Sequence, residues 1–313
     1  MKKLLSVILL CVMLVLCGCS YENNGDDTIS IVVTAFPHYD FARQLTKDVD
    51  NTEIKMLISP GSEVHTYDPS PSDILSVSSC DLFVFTGGES ESWAKSILSS
   101  AKNEKMRLVS FMDICSPDGK EHTHDHDDHE AAHEHDTEYD EHVWTLPIMS
   151  EAVCEHIARE LCLLDPENEQ IYMANLDEYL AKLRELDTEF SGIMKDAKRN
   201  FVVFADRFPF YHFATHYGLE YFSAFPGCSS STEPSAKTVA TLSQKVKEEK
   251  LPYVFTIEFS NERIAKTIIS GTDAKILSLH SCHNVSKEDF DNGITYIDLM
   301  KKNSRNLRKA LCE

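Results

Sequence analysis

The apolar positions of the chain form short β-rich runs that alternate with helically spaced stretches in two separate parts of the sequence. In the first part, buried strands are predicted at 29–36, 54–59, 82–87 and 107–111. Apolar residues at three- and four-residue steps predict the intervening helices, at 39–49, 72–78 and 90–101. Strands that alternate with helices favour a parallel sheet covered on both faces.

The same alternation returns near residue 199. Strands are predicted at 201–205, 221–225, 253–258 and 275–279, and helices at 208–217, 235–249, 261–270 and 295–311. We therefore predict the α/β fold class, with an N-terminal lobe at 29–164 and a C-terminal lobe at 199–313.

A long helical pattern lies between the two lobes. A helix at 146–164 is followed by Asp165 and Pro166, which begin a second helix without a breaker to about Ala197. A segment at 165–198 would be roughly 50 Å long at about 1.5 Å per residue, more than one lobe needs. We interpret it as a connecting helix; a coiled-coil partner helix is the alternative.

Charge changes this picture at 121–142, where seven histidines and ten carboxylates occur in 22 residues without a Lys or Arg. Imidazole nitrogen and carboxylate oxygen are ligands for Zn(II) and its neighbours, so the loop at 121–141 is predicted to collect metal. The alternative is a solvated, disordered acidic insert. The formal net charge of -21 argues against nucleic acid and against an anionic membrane as partners, and favours a cation.

The N-terminus has the pattern of an export signal. Lys2 and Lys3 precede an apolar run at 4–16 that is too short to span a bilayer, and the sequence LCGC follows at 16–19. This resembles a bacterial lipobox, which predicts a signal peptide at 1–19, lipidation of Cys19, a tether at 20–28 and an extracytoplasmic, lipid-anchored protein. A cleaved signal without lipid is the alternative.

Three histidines follow predicted strands or the His-rich loop: His65, His142 and His280. Ligands in open α/β sheets bind beyond the carboxyl ends of the strands, so these residues are candidates for one metal site.

Two motifs carry a family resemblance. The sequence GSEVHTYDPSPSD at 61–73 resembles the first metal-ligand motif of the zinc- and manganese-binding solute-binding proteins of ABC importers (cluster A-I), and DEHVW at 140–144 resembles the second. A His-rich loop before the second motif is typical of the zinc-specific branch. The resemblance implies two Rossmann-like β/α lobes, one long rigid helix between them, and a metal site in the cleft.

The C-terminal lobe departs from the family pattern. Ala205 or Asp206 stands where the family usually has its third histidine, and LHSCH at 279–283 stands where it commonly has an acidic fourth ligand. We expect His65, His142 and His280 as ligands, completed by Asp206, Glu63 or water. His283 is the alternative to His280, and a reduced Cys282 is a weaker candidate.

The expected function is a high-affinity zinc receptor without enzymatic activity, a monomer that delivers Zn(II) to an ABC permease and its ATPase. Three imidazoles favour zinc, whereas manganese prefers more oxygen ligands. A manganese or iron receptor, a surface adhesin and a zinc hydrolase are the alternatives. The hydrolase depends on an HExxH match at 129–133, whose flanks lack the apolar face that such a helix needs.

Overall fold

The computed structural model describes residues 28–101, 103, 105–116, 140–225 and 233–313. The predicted signal peptide, Cys19, the tether up to residue 27, the HExxH match and the His-rich loop up to residue 139 lie outside these residues. Within the described ranges, none of the helices combines the length and the apolar character needed to cross a bilayer.

The first lobe contains a four-stranded parallel sheet in the order β2-β1-β3-β4, with strands β1 (Ile29–Val33), β2 (Thr52–Met56), β3 (Leu82–Phe85) and β4 (Arg107–Ser110). Its central strands are continuous apolar runs because helices cover both faces of the sheet. The helices that follow these strands are α1 (Phe36–Leu45), α2 (Pro71–Ser79), α3 (Ser92–Ser100) and α4 (Phe111–Cys115).

Two consecutive helices lead from the first lobe to the second. They are α5 (Pro147–Leu164) and, after a short 3-10 turn, α6 (Glu169–Asp196). The 28 residues of α6 correspond to a length of about 42 Å at 1.5 Å per residue. One stripe of α6 is buried at three- and four-residue spacing, namely Leu176, Leu180, Leu183, Leu186, Phe190 and Ile193. Because the stripe runs along the helix, α6 packs against both lobes.

The second lobe repeats the topology of the first. Its parallel sheet has the order β6-β5-β7-β8, with β5 (Phe201–Phe204), β6 (Glu220–Ser223), β7 (Tyr253–Thr256) and β8 (Lys275–Ser278). Its helices are α7 (Tyr211–Tyr217), α8 (Ala236–Glu248), α9 (Arg263–Ile268), α10 (Lys287–Asp291) and α11 (Tyr296–Cys312). The predicted α/β class with two lobes and a long helix between them is confirmed.

The lobes share a buried interior. One continuous cluster of apolar side chains includes Ile31 of β1, Leu183 of α6 and Phe204 of β5. Tyr296, at the start of α11, donates its backbone N–H to Asp40 at 2.7 Å and its hydroxyl to the Trp144 carbonyl at 2.6 Å. These contacts tie the C-terminal helix into the first lobe, so a wide hinge opening would break a packed core.

Several predicted limits were wrong in detail. The first helix begins at Phe36 rather than near residue 39, because Pro37 lies in its first turn, where a fixed φ and a missing N–H suit a helix start. The second strand covers Thr52–Met56 rather than 54–59; it is an edge strand, whose alternating polar residues hid its start. Residue 111, predicted to end a strand, begins α4 because the Ser110 side chain caps that helix.

Candidate metal centre

Three histidines from three separate segments meet in the cleft between the lobes. His65 lies in the loop between β2 and α2, His142 directly precedes a 3-10 turn, and His283 lies in the loop after β8. One ring nitrogen from each lies within 4.8 Å of the other two, and no other group of three such ligands occurs in the described ranges. The three side chains can therefore face a single ion.

The structure brings His283, not His280, to this group. His280 is 9% exposed, and its Nδ1 accepts the backbone N–H of Cys282 at 3.0 Å. Cys282 has a left-handed φ of 62°, which turns the chain between the two histidines. His280 therefore lies behind the loop, beside Glu258 at 3.8 Å, and it does not line the cleft. The structure thus groups the alternative, His283, with His65 and His142 in place of the expected His280, and the identity of the ligands stays a prediction.

His283 is partly buried against other aromatic rings. Its ring packs on Trp144 with centroids 4.8 Å apart, and its ring centroid lies 5.3 Å from each of those of His65 and His142. Burial, followed by the neighbouring imidazoles, lowers the pKa of His283 well below its ordinary 6.5. The residue is thus neutral at physiological pH, as a metal ligand must be.

The loop that carries His283 is fixed by polar contacts from several elements. Trp144 Nε1–H donates to the Ser281 carbonyl at 2.9 Å, and the Ser281 N–H donates to Glu258 at 2.7 Å. Asn303 of α11 accepts the His280 N–H at 2.7 Å and donates to its carbonyl at 2.8 Å. The position of His283 is thereby set before any ion binds.

His142 has a carboxylate partner two residues before it. Asp140 Oδ1 accepts the His142 backbone N–H at 2.9 Å and lies 3.0 Å from His142 Nδ1. Burial would raise the pKa of Asp140, but attraction to His142 and their hydrogen bonds hold it below its ordinary value. A carboxylate at Nδ1 fixes the proton there and leaves Nε2 as the donor atom for a metal, an arrangement common around bound zinc.

His65 approaches the group from a loop tied to the opposite lobe. Asn284, next to His283, donates to the carbonyls of Ser59 and Ser62 at 3.0 and 2.8 Å. Gly61 donates its N–H to the Val285 carbonyl at 2.8 Å. The loops that carry His65 and His283 are therefore attached to each other directly.

Carboxylates line the cleft beside the histidines, in a cavity of about 440 Å³. Asp206 accepts the Arg207 N–H at 3.0 Å, and burial raises its pKa despite a hydrogen bond to Ser260. Glu63, by contrast, has a side chain that is 57% exposed and lies 3.9 Å from Arg207. Both expected carboxylates line the same cleft as the three imidazoles, although neither belongs to the group of ligand atoms that lie within 4.8 Å of one another.

The geometry is close to that of a zinc site but more open. Two nitrogens each 2.0–2.1 Å from one tetrahedral ion would be about 3.4 Å apart. The separations here extend up to 4.8 Å, so an ion bound by all three would draw the rings together by up to about 1.4 Å. Such a shift is a small movement of loops rather than a rearrangement of lobes.

The family described as zinc-uptake complex component A, periplasmic (ZnuA) matches residues 31–310. The chain belongs to this ZnuA family. It is 32% identical to the high-affinity zinc uptake system protein ZnuA of Bacillus subtilis, with 98% of this chain and 97% of that one covered. It is 30% identical to the zinc-binding lipoprotein AdcA of Streptococcus pneumoniae, over 99% of this chain and 61% of that one.

Solved structures of ZnuA-like proteins share the fold. The Zn(II)-bound ZnuA-like domain of Streptococcus pneumoniae AdcA aligns with a TM-score of 0.74 at 26% identity, covering 91% of this chain and 100% of that one. The metal-dependent lipoprotein YcdH of Bacillus subtilis aligns with a TM-score of 0.75 at 28% identity, with 91% and 100% covered. This chain spans about three-fifths of the length of the pneumococcal AdcA protein.

One residue near the candidate metal centre was missed by sequence reasoning. The Nε2 atom of His212, on α7, lies 2.7 Å from the Asp140 carbonyl oxygen. Three other histidines lie away from the group: His38 is buried, the Nδ1 of His156 lies 2.8 Å from the Ala152 carbonyl oxygen of its own helix, and His216 lies at the surface near Asp187. A histidine on a helix carries no local signal for a contact across the lobes.

Proposed function

We propose that this chain is an extracytoplasmic receptor that binds Zn(II) in the cleft and delivers it to an ABC-type importer. The observation that carries the proposal is the convergence of His65, His142 and His283 in a cleft open to solvent. Membership of the ZnuA family supports it, as do the zinc-bound state of a similar structure and the zinc-uptake function in the name of a relative.

We propose Asp206 as the fourth ligand. A carboxylate whose pKa is raised by burial is poorly solvated, and a divalent cation would compensate for that lost hydration. In the family pattern Asp206 stands near the usual third histidine, while His283 stands near the usual acidic ligand. The imidazole and the carboxylate would thus have exchanged places. Glu63, which is more exposed, is the second choice.

Three imidazoles and one carboxylate are a donor set for zinc. Zn(II) is typically four-coordinate with nitrogen, sulfur or oxygen ligands, whereas Mn(II) favours carboxylate, carbonyl and water oxygens. A manganese or iron receptor on the same fold is the alternative outcome. The zinc is cargo in this proposal, and none of the cleft residues is assigned a catalytic role.

Delivery and location extend the proposal beyond the cleft. Relatives described as a zinc-binding lipoprotein and as a zinc uptake system protein support a lipid anchor at Cys19 and a permease with its ATPase as partners. We propose that the protein acts as a monomer on the outer face of the membrane, with the His-rich loop raising the local zinc concentration.

The test is a competitive zinc titration of the purified protein with a chromophoric chelator, together with a metal analysis. Wild type is compared with His283→Asn and with the matched variant His280→Asn. Removing a group that hydrogen-bonds a metal ligand typically costs 10- to 100-fold in metal affinity, so loss of a ligand itself should cost more than about 100-fold. We expect that loss for His283→Asn, and a change below about 10-fold for His280→Asn.

Other results would redirect the proposal. A tight site lost in His280→Asn and kept in His283→Asn would contradict the proposed ligand set. Preferential binding of manganese or iron would favour the alternative receptor. Peptide hydrolysis that disappears in Glu130→Ala would indicate a hydrolase, and unchanged zinc uptake in cells lacking the protein would favour an adhesin.

A further inference from the structure

His212 connects the second lobe to the segment that carries the His142 ligand. It lies on α7, and its Nε2 is 2.7 Å from the carbonyl oxygen of Asp140. A carbonyl only accepts, so Nε2 must carry the proton and donate it. The contact joins residues 72 positions apart, His212 on a helix of the second lobe and Asp140 just before His142.

The residue that receives this bond is the one that orients His142. The Asp140 carbonyl accepts from His212, while the Asp140 carboxylate accepts from the backbone N–H and contacts Nδ1 of His142. The backbone carbonyl of Asp140 is therefore fixed by the second lobe, and its carboxylate orients the proposed zinc ligand His142.

Glu141 fixes the same segment to the first lobe. Its carboxylate accepts the Ser90 N–H at 3.0 Å and also the Ser90 hydroxyl. It packs so closely on Gly88 that a Cβ atom added to this glycine would lie 2.1 Å from the Glu141 carboxyl carbon. The three residues before Val143 thus have one anchor in each lobe.

We infer that His212 is a positioning residue for the metal site, which acts through Asp140 to set the orientation of His142 and links it to the relative position of the lobes. This rests on the proposed zinc-receptor function. Because the three ligands must move closer together around an ion, the anchors in the two lobes limit how far the segment that carries His142 can shift.

The test uses two amide substitutions of different reach. The Nε2 amide of His212→Gln can occupy the position of the imidazole Nε2 and still donate, whereas His212→Asn is one methylene shorter and cannot reach the carbonyl. His216→Asn, one turn later on the same helix and at the surface, is the matched control. Each variant is titrated with zinc against a competing chelator and, separately, loaded with Co(II) for its visible spectrum.

A neutral hydrogen bond contributes about 0.5–1.5 kcal/mol, which corresponds to roughly 2- to 12-fold in affinity. We expect His212→Asn to lose zinc affinity by that factor and to show an altered visible Co(II) spectrum. His212→Gln and His216→Asn should keep a zinc affinity and a Co(II) spectrum close to those of the wild type. Combined with Asp140→Asn, His212→Asn should cost less than the product of the two single effects, since both act on His142.

Two results would overturn the inference while leaving the receptor proposal intact: wild-type affinity in His212→Asn, or an equal loss in His212→Gln and His212→Asn. Fully multiplicative effects of the His212 and Asp140 changes would also contradict a route through Asp140. A wild-type protein without a tight zinc site would overturn both proposals.

Discussion

His38 should make the folded protein sensitive to acid. It is fully buried on α1, where its ring packs on Phe111 with centroids 4.2 Å apart. Its Nδ1 accepts the Ala35 N–H at 3.3 Å, and its Nε2 lies 3.3 Å from the Thr86 hydroxyl. Only the neutral ring satisfies the Ala35 N–H, and burial lowers the pKa of His38 from 6.5 to about 3.

The magnitude follows from proton linkage. Above pH 6.5 the residue is neutral in both states and has no effect on the free energy of unfolding. Below that pH the unfolded chain binds a proton that the folded chain excludes, so stability falls as the pH falls from 6.5 towards about 3. At pH 5, which is about 1.5 pH units below the pKa of the unfolded state, His38 lowers the free energy of unfolding by about 2 kcal/mol.

Urea unfolding of the metal-free protein at pH 8 and pH 5 measures this loss. The variant His38→Gln keeps a polar side chain but does not titrate in this range. Between pH 8 and pH 5, the free energy of unfolding should fall by about 2 kcal/mol more in the wild type than in His38→Gln. The comparison cancels the contributions of the other histidines, which are present in both proteins. Equal losses in the two proteins would refute the assignment of a depressed pKa to His38.

Three further outcomes are expected. Asp140→Asn should weaken zinc binding by roughly 10- to 100-fold by calorimetry with a competing chelator, because it removes the carboxylate at His142 Nδ1; an unchanged affinity would be inconsistent with that role. Leu183→Ala, fully buried on α6, should lower the free energy of unfolding by about 2–5 kcal/mol in urea, while Leu163→Ala, at a side chain 53% exposed, should change it by less than about 1 kcal/mol. Deletion of residues 122–135 should lower the zinc stoichiometry and leave one tight site; a deletion variant without a tight site would assign binding to the loop.

The fold could be predicted from the sequence because helical periodicity and capping residues are local patterns. The apolar stripe of α6 follows helical periodicity over 28 residues, and the predicted helix agrees with the observed one within a few residues. Thr295 and Asp298 form a capping box that begins α11 where it was predicted. Strand limits were less exact because an edge strand such as β2 has polar residues that pattern reading assigns to loops.

The metal centre was less predictable because side-chain direction in a loop depends on single backbone angles. His280 and His283 are three residues apart in one polar loop, and both fit the expected position. The left-handed backbone at Cys282 turns the chain so that His283 lies beside His65 and His142. A cysteine gives no sequence signal for that conformation. His212 was missed since its partner lies in the other lobe and the contact exists only after the lobes pack.

The apolar interior shared by the two lobes also determines how the protein unfolds. The largest apolar cluster is common to both lobes: α6 buries one stripe in it, and α11 packs in the same cluster. A fragment cut after α5 would expose the apolar surface that α6 and α11 normally cover. We therefore expect the halves to melt in one cooperative transition, and isolated halves to aggregate rather than fold as independent units.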